Sequence, residues 1–268
     1  MGQPTTSSNS WGDSAIMLSE IQYRLLCLMA PRIRSSMEGG VYAGKSKLRM
    51  SLPEIEAEIK DKIVLDFGCG AGAEVIEMAT LGARRAIGLD IAQKWLHRAQ
   101  QQAEKAGVGD KCEFVSSVAG PVQVIVALDS FEHFADPDAV LRTMYSVLEL
   151  GGCVLVSFGP PWYHPLGGHL FSVFPWAHLV MKEEALIRWR AQFKTDGARS
   201  FGEVAGGLNQ MSIRRFAEIL GRSQFVIEQL ELVPIRRFKA LHNRATREFL
   251  TAVVRCRLRK PHETRRPG

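Results

Sequence analysis

Two carboxylates bracket a glycine-rich turn in this chain. Asp66 stands inside Val64-Leu65-Asp66-Phe67-Gly68-Cys69-Gly70-Ala71-Gly72, and Asp90 closes the run Ile87-Gly88-Leu89-Asp90. Glycine lacks Cβ, so Gly68, Gly70 and Gly72 let a ligand lie directly against the main chain. A helix beginning near Ala71 to Glu74 would offer free N–H groups to a carboxylate or phosphate. An acid at the end of the following strand is placed to accept hydrogen bonds from ribose hydroxyls. The chemistry these residues could do is the holding of a nucleotide-type ligand.

Two ligand classes fit the spacing. Gly68, Gly70 and Ala73 satisfy the dinucleotide fingerprint, which keeps an NAD(P)-dependent oxidoreductase as an alternative. Against it, Asp66 at the head of the loop would repel a pyrophosphate and suits a ligand carrying an ammonium group. With Gly72 and Glu74 added, the run resembles the class I S-adenosylmethionine-dependent methyltransferases, from about Lys60 to Gly159 and again at the C-terminus. The resemblance implies that Asp66, Gly68, Cys69, Gly70 and Gly72 hold the methionine end of S-adenosyl-L-methionine and that Asp90, next to Ile91, binds the ribose. Cys69 fits there as a small side chain between two glycines. The family's acid after the third strand is missing, since Phe114 to Pro121 carries none; the adenine contact then falls to backbone groups near Ser117 and Val118. A binding protein that retains the pocket without catalysis is a second alternative.

Transfer from a sulfonium is an in-line displacement of an already activated methyl group, so the protein must chiefly orient the acceptor and keep it dry. A hydroxyl acceptor must also lose a proton. Asp129-Ser130-Phe131-Glu132-His133 resembles the acid-x-x-Glu-His run of quinone-pathway O-methyltransferases, whose members place two acids and a histidine about a divalent ion. His133 is the first candidate for the acceptor side, and Asp129 borders the cofactor. A divalent metal is chemically plausible there, but no metal site is assigned. Gly159-Pro160-Pro161-Trp162-Tyr163-His164-Pro165-Leu166-Gly167-Gly168-His169 adds Tyr163, His164 and His169 to the candidates, on a loop whose prolines and glycines suit a lid. The apolar run 170–181 either lines a hydrophobic pocket or packs the lid on the core. Methyltransferases acting on amino groups of bases place Asn/Asp-Pro-Pro-aromatic after the fourth strand, whereas Pro160-Pro161 follows the fifth. The expected acceptor is therefore a small molecule, a hydrophobic one included, methylated on oxygen or carbon, with no specific nucleic acid.

The elements that must position these groups are legible from periodicity. Strands are expected at 62–67, 85–90, 112–116, 122–128, 152–158, 225–233 and 248–258, with helices at 14–29, 72–81, 92–106, 136–149 and 212–221. Asp136 caps the helix at 136–149, Pro137 opens it and Gly151-Gly152 ends it. Alternating strands and helices imply an α/β fold. It is expected as a Rossmann-like doubly wound seven-stranded sheet, mostly parallel with one antiparallel strand, plus a helical cap. The division expected is a disordered tail and cap helix at 1–50, the helix lying over the cofactor pocket; a core at 51–159 and 210–258; a lid at 160–209; and a basic tail at 259–268.

Composition excludes several classes. The chain is 46% hydrophobic and 23% charged, ordinary for a globular protein, and no apolar run approaches the length of a membrane span. Five scattered cysteines show no metal or disulfide spacing, and with no leader pattern read at the start a cytoplasmic location is expected. The formal net charge of +6 concentrates in Arg236, Arg237, Lys239, Arg244, Arg247, Arg255, Arg257, Arg259, Lys260, Arg265 and Arg266. Without interleaved exposed aromatics that run reads as a solvated basic edge, with RNA, anionic lipid or an acidic substrate as rivals.

Overall fold

The computed structural model describes residues 10–29, 45–118, 120–204 and 206–262. The expected disordered segment 1–12 and the end of the basic tail lie largely outside them.

Seven strands form one sheet: β1 (Ile63–Phe67), β2 (Arg85–Leu89), β3 (Cys112–Val115), β4 (Val122–Leu128), β5 (Leu148–Phe158), β6 (Val226–Pro234) and β7 (Thr251–Arg259), in the order β3-β2-β1-β4-β5-β7-β6. All ladders are parallel except those of β7, which runs antiparallel between β5 and β6. Side chains alternate across a strand, and both faces here are covered. Leu65, Ile125, Val154 and Val156 meet α6 (Pro137–Val147) and α9 (Ile213–Arg222) through Leu141, Met144, Phe216 and Ile219. Val64, Val124, Val126 and Leu155 face the other way, onto α2 (Lys47–Ser51), α3 (Ile55–Ile59), α4 (Ala73–Thr80) and α5 (Gln93–Lys105) through Leu48, Ile55, Val75, Met78 and Leu96.

Several expected boundaries shift. Asp136 does cap α6, accepting from the Ala139 amide at 2.9 Å, and Pro137 opens it, but the helix stops at Val147. Leu148 is already extended, so β5 begins there and Gly151, at φ 75°, bends the strand instead of ending the helix. β7 starts at Thr251 because α10 (Arg247–Leu250) takes a helical turn first. The β3–β4 connection must pass β2 and β1 with only residues 116–121, shorter than the dozen or more that a parallel crossover usually needs. No crossover helix fits.

The described residues between β5 and α9, the cap, hold α7 (Ala177–Val180), α8 (Glu183–Arg190) and a buried cluster of Trp162, Phe171, Leu186, Trp189, Phe201 and Leu208. α1 (Ser10–Met29) adds Leu26 to that core. The Arg188 guanidinium sits 3.8 Å from the Tyr23 ring centre, and the Lys182 amide donates to Gln22 at 2.7 Å. The contacts of α1 are thus with α8, not over the cofactor pocket as its sequence position suggested. Of its apolar stripe Leu26 is buried in the cap, while Ile16, Met17, Ile21, Leu25 and Met29 stay exposed. Among the described residues no helix is long and apolar enough to cross a membrane.

Candidate functional site

The glycine loop is tied to the ends of two neighbouring strands. The Gly68 and Cys69 amides both donate to the Leu89 carbonyl, at 2.9 and 3.0 Å. Asp90 accepts from the Gly70 amide at 2.9 Å through one oxygen and from the Ala92 amide at 2.8 Å through the other. It therefore shapes the loop and the start of α5, and each oxygen keeps a lone pair for a ligand hydroxyl. Two glycines of the loop serve different ends. A Cβ at Gly72, where φ is 79°, would fall 2.6 Å from Phe114 and 2.7 Å from Ala99, so glycine there lets α4 pack. Gly70, at φ 49°, has nothing within 4 Å of the same position, leaving its backbone bare to whatever occupies the crevice.

Asp66 is buried at the loop's base, and its carboxyl is pushed up to about 8, first by burial, then by the charge of Glu74, with Asp90 adding and Lys47 opposing. A buried acid surrounded by acids is a site that favours a cation. Lys47 supplies one nearby: its Nζ lies 3.0 Å from Asp129 Oδ2 and 3.7 Å from Glu74 Oε1. No motif marked Lys47, since α2 lies upstream of the patterned segment. Burial, followed by Asp66 and Asp90, drives the Cys69 thiol far upward, which makes it an inert filler. Ile91 is 94% exposed beside Asp90. Ser117 is exposed two residues past Val115, whose carbonyl takes the Asp90 amide, and it lines a shallow groove of about 200 Å³ with Ile87 and Val118.

The loop after β4 abuts the glycine loop: a Cβ on Gly68 would stand 3.6 Å from that of Ser130. The His133 amide donates to the Ser130 carbonyl at 2.9 Å, and its ring borders a cavity of about 590 Å³ that is otherwise lined by residues between His169 and Leu208. His133 Nδ1 is 2.7 Å from the Gly207 carbonyl. A carbonyl only accepts, so Nδ1 carries the proton, and in the neutral ring Nε2 keeps the lone pair. Asn209 fixes this loop from the cap side, donating to the carbonyls of Phe131 and Phe134 at 2.7 and 2.8 Å. Neither Gly207 nor Asn209 was singled out in the sequence, because the contacts span more than seventy residues and Gly207 acts through its backbone.

His169 lines the same cavity beside His133, the two rings edge-on with centres 5.6 Å apart. Burial pushes it down to about 4, with the His133 and His178 rings adding to the effect. Its Nε2 is buried without a hydrogen-bond partner, and its φ of 51° is unusual for a non-glycine residue. His164 lies elsewhere: its Nδ1 accepts from the Leu166 amide at 2.9 Å to close a turn, and it is not among the cavity's lining residues. Tyr163 likewise points to Phe249, with ring centres 5.7 Å apart. His178, bonded to Ser172 and to the Trp162 carbonyl, is part of the cap core. Leu170, Phe171, Val204 and Leu208 give the cavity apolar walls, and Arg190, locked to Asp196 at 2.6 and 2.7 Å, and Lys194 give it a charged side.

The acid-x-x-Glu-His residues do not converge. Asp129 is paired with Lys47, and Glu132 is turned into the interior, where burial and then Asp129 push it up to about 8. His133 faces the cavity. Among the described residues no group of three or more His, Cys, Asp or Glu is arranged to hold a metal ion.

Residues 41–230 match the family described as methyltransferase domain. The chain is 34% identical over 116 residues to the ubiquinone biosynthesis O-methyltransferase of Chromobacterium violaceum, covering 41% of this chain and 50% of that protein. It is 37% identical over 103 residues to the tRNA 5-carboxymethoxyuridine methyltransferase of Escherichia coli, covering 35% of this chain and 39% of that one. The chain thus spans half or less of the length of these relatives. Among solved structures, an S-adenosylmethionine-dependent methyltransferase from Listeria monocytogenes superposes with a TM-score of 0.52 at 17% identity, over 80% of this chain and 94% of that one, which is a likeness of fold.

Proposed function

The chain belongs to the class I S-adenosylmethionine-dependent methyltransferases, and from that premise we propose that it methylates a hydroxyl oxygen of a largely apolar small molecule held beneath the cap. The relatives are named for a quinone-pathway acceptor and for a tRNA, at similar identity, so the acceptor is argued from the cavity itself. The observation that carries the reading is the His133 imidazole, its tautomer fixed by the Gly207 carbonyl, on a cavity of about 590 Å³ with apolar walls and one charged side. That volume suits a small molecule.

S-adenosylmethionine supplies, when bound, an electrophilic methyl group on a sulfonium. The residues present fit its chemistry: an acid site at Asp66 that favours a cation, bare backbone at Gly70, and free lone pairs on Asp90 for ribose hydroxyls. In this reading Asp66, Gly68, Cys69, Gly70 and Gly72 hold the amino-acid end, Lys47 and Asp129 border it, and Asp90 and Ile91 flank the ribose. Ser117 lies toward the base. On the acceptor side, His133 Nε2 accepts the hydroxyl proton. His169, neutral at pH 7, faces His133 without adding a charge that would oppose protonation there. His164 and Tyr163 have no part in transfer. Residues 160–209 exclude water and act as the lid.

The test uses methyl-labelled S-adenosylmethionine with a panel of alkylated phenols and alcohols, the methylated atom being identified by mass spectrometry. His133→Ala is expected to slow O-methylation about 10²- to 10⁴-fold, the scale of a lost general base, with cofactor affinity nearly unchanged and partial rescue by added imidazole. An unaltered rate, or transfer to tRNA or protein alone, contradicts the proposal.

A further inference from the structure

The basic C-terminal region divides into two parts that differ in kind. The β7 arginines are neutralised within the fold: Arg255 pairs with Glu231 at 3.2 Å, Arg259 with Glu228 at 2.7 Å, and Arg257 with Glu228 at 2.7 Å and with Glu58. The β6–β7 connector is not. Arg236, Arg237, Lys239 and Arg244 are exposed and Arg247 half-exposed, and none has an ion-pair partner among the described residues. Between Ile235 and Leu250 the one acid is Glu248, and both its oxygens are taken by the Ile213 and Arg214 amides at 3.0 and 2.8 Å, where they cap α9.

Among these cations stand large apolar side chains. Leu241 is 58% exposed, Phe238 44% and Phe249 43%, which corrects the expectation of a basic edge without exposed aromatics. The connector leaves β6, parallel to β5, and enters the antiparallel β7, so it lies at the carboxyl edge of the parallel strands. That is the edge of the glycine loop and of the cap, which the connector touches through Phe249 and Tyr163.

We infer that this connector seats on the surface of an anionic phospholipid bilayer, its arginines and lysine against lipid phosphates and Phe238 and Leu241 in the headgroup boundary. Charge complementarity names the partner, since cations with no acid to satisfy them flank side chains that gain by leaving water. Leu241, the most exposed apolar side chain of the connector, has no ring to stack on a base, and its gain on leaving water is what favours a lipid surface over a nucleic acid; Phe238, His242 and Asn243 suit either. Docking at this edge would bring the cap and its cavity beside the lipid, a suitable place to collect an apolar acceptor.

The full chain, without cofactor or acceptor, is sedimented with phosphatidylcholine vesicles and with vesicles containing about one-third phosphatidylglycerol; this readout is independent of the acceptor assigned above. Binding is expected to the anionic vesicles alone and to weaken with salt, on the order of fivefold per cation lost. R236E/R237E/K239E should abolish it and F238S/L241S should weaken it about tenfold, both with unchanged thermal melts. L241W fluorescence should be quenched by brominated lipid, which tests penetration without removing apolar surface. Absence of binding, binding indifferent to either variant, unquenched L241W, or these cations preferring bulk tRNA to vesicles would overturn the proposal.

Discussion

Asp66 has two opposed duties, and they can be separated by pH. Burial raises its folded-state value from 3.8 to about 8, so the folded chain holds a proton that the unfolded chain releases. Stability from this group is present below the unfolded value and is lost as pH rises through about 8. A ligand ammonium would reverse the penalty by supplying the opposite charge. Asp66→Asn is therefore expected to raise the melting temperature of the ligand-free protein at pH 8.5, with the gain shrinking as pH falls toward 4. The same change should weaken cofactor binding by about tenfold or more, the scale of a bond to a charged group. Scanning calorimetry and titration calorimetry on one preparation read both, and a variant neutral in either would contradict the account. Asp66, Gly70, Asp90 and His133 could be read from the sequence because each sits in a short local pattern. Lys47, Gly207 and Asn209 could not, since their partners are distant in the chain and two of the contacts run to or from backbone carbonyls.

The cap is the element whose stability should respond most to acid. His164 and His169 are pushed down to about 4, and His178 is lowered, each chiefly by burial. Unfolded imidazoles titrate near 6.5, so between that pH and about 4 the open cap binds protons that the closed cap does not. Its stability is complete above 6.5 and falls as pH drops toward 4. Hydrogen exchange is expected to rise across 160–209 below pH 6 while β1, β4 and β5 remain protected. Uniform loss of protection, or none at pH 4.5, would contradict this. Strand and helix placement was legible where periodicity and caps were strong, as at Asp136 and Ser212. It failed at Leu148, where pairing with Val122 overrides the glycines, and α1's docking partner depends on cap residues more than 150 positions away.

At the scale of the whole molecule, the β3-β2-β1-β4-β5-β7-β6 order brings the glycine loop, the His133 loop, the cap and the basic connector to one edge of one sheet. Strand count and that edge followed from the alternation of elements, and the single antiparallel strand from the resemblance to the methyltransferase sheet. The short β3–β4 connection was also visible, as an acid-free gap, and its consequence is that no crossover helix covers the groove lined by Ile87, Val115 and Val118. The division of the basic region was not visible, because it depends on which arginines find Glu58, Glu228 and Glu231. The most direct test is a crystal structure of the chain with S-adenosylhomocysteine. The account predicts the ligand's ammonium at Asp66, its ribose hydroxyls on Asp90, and its sulfur turned toward the cavity bounded by His133 and His169. A sulfur directed away from that cavity, or a ligand held elsewhere, would contradict it.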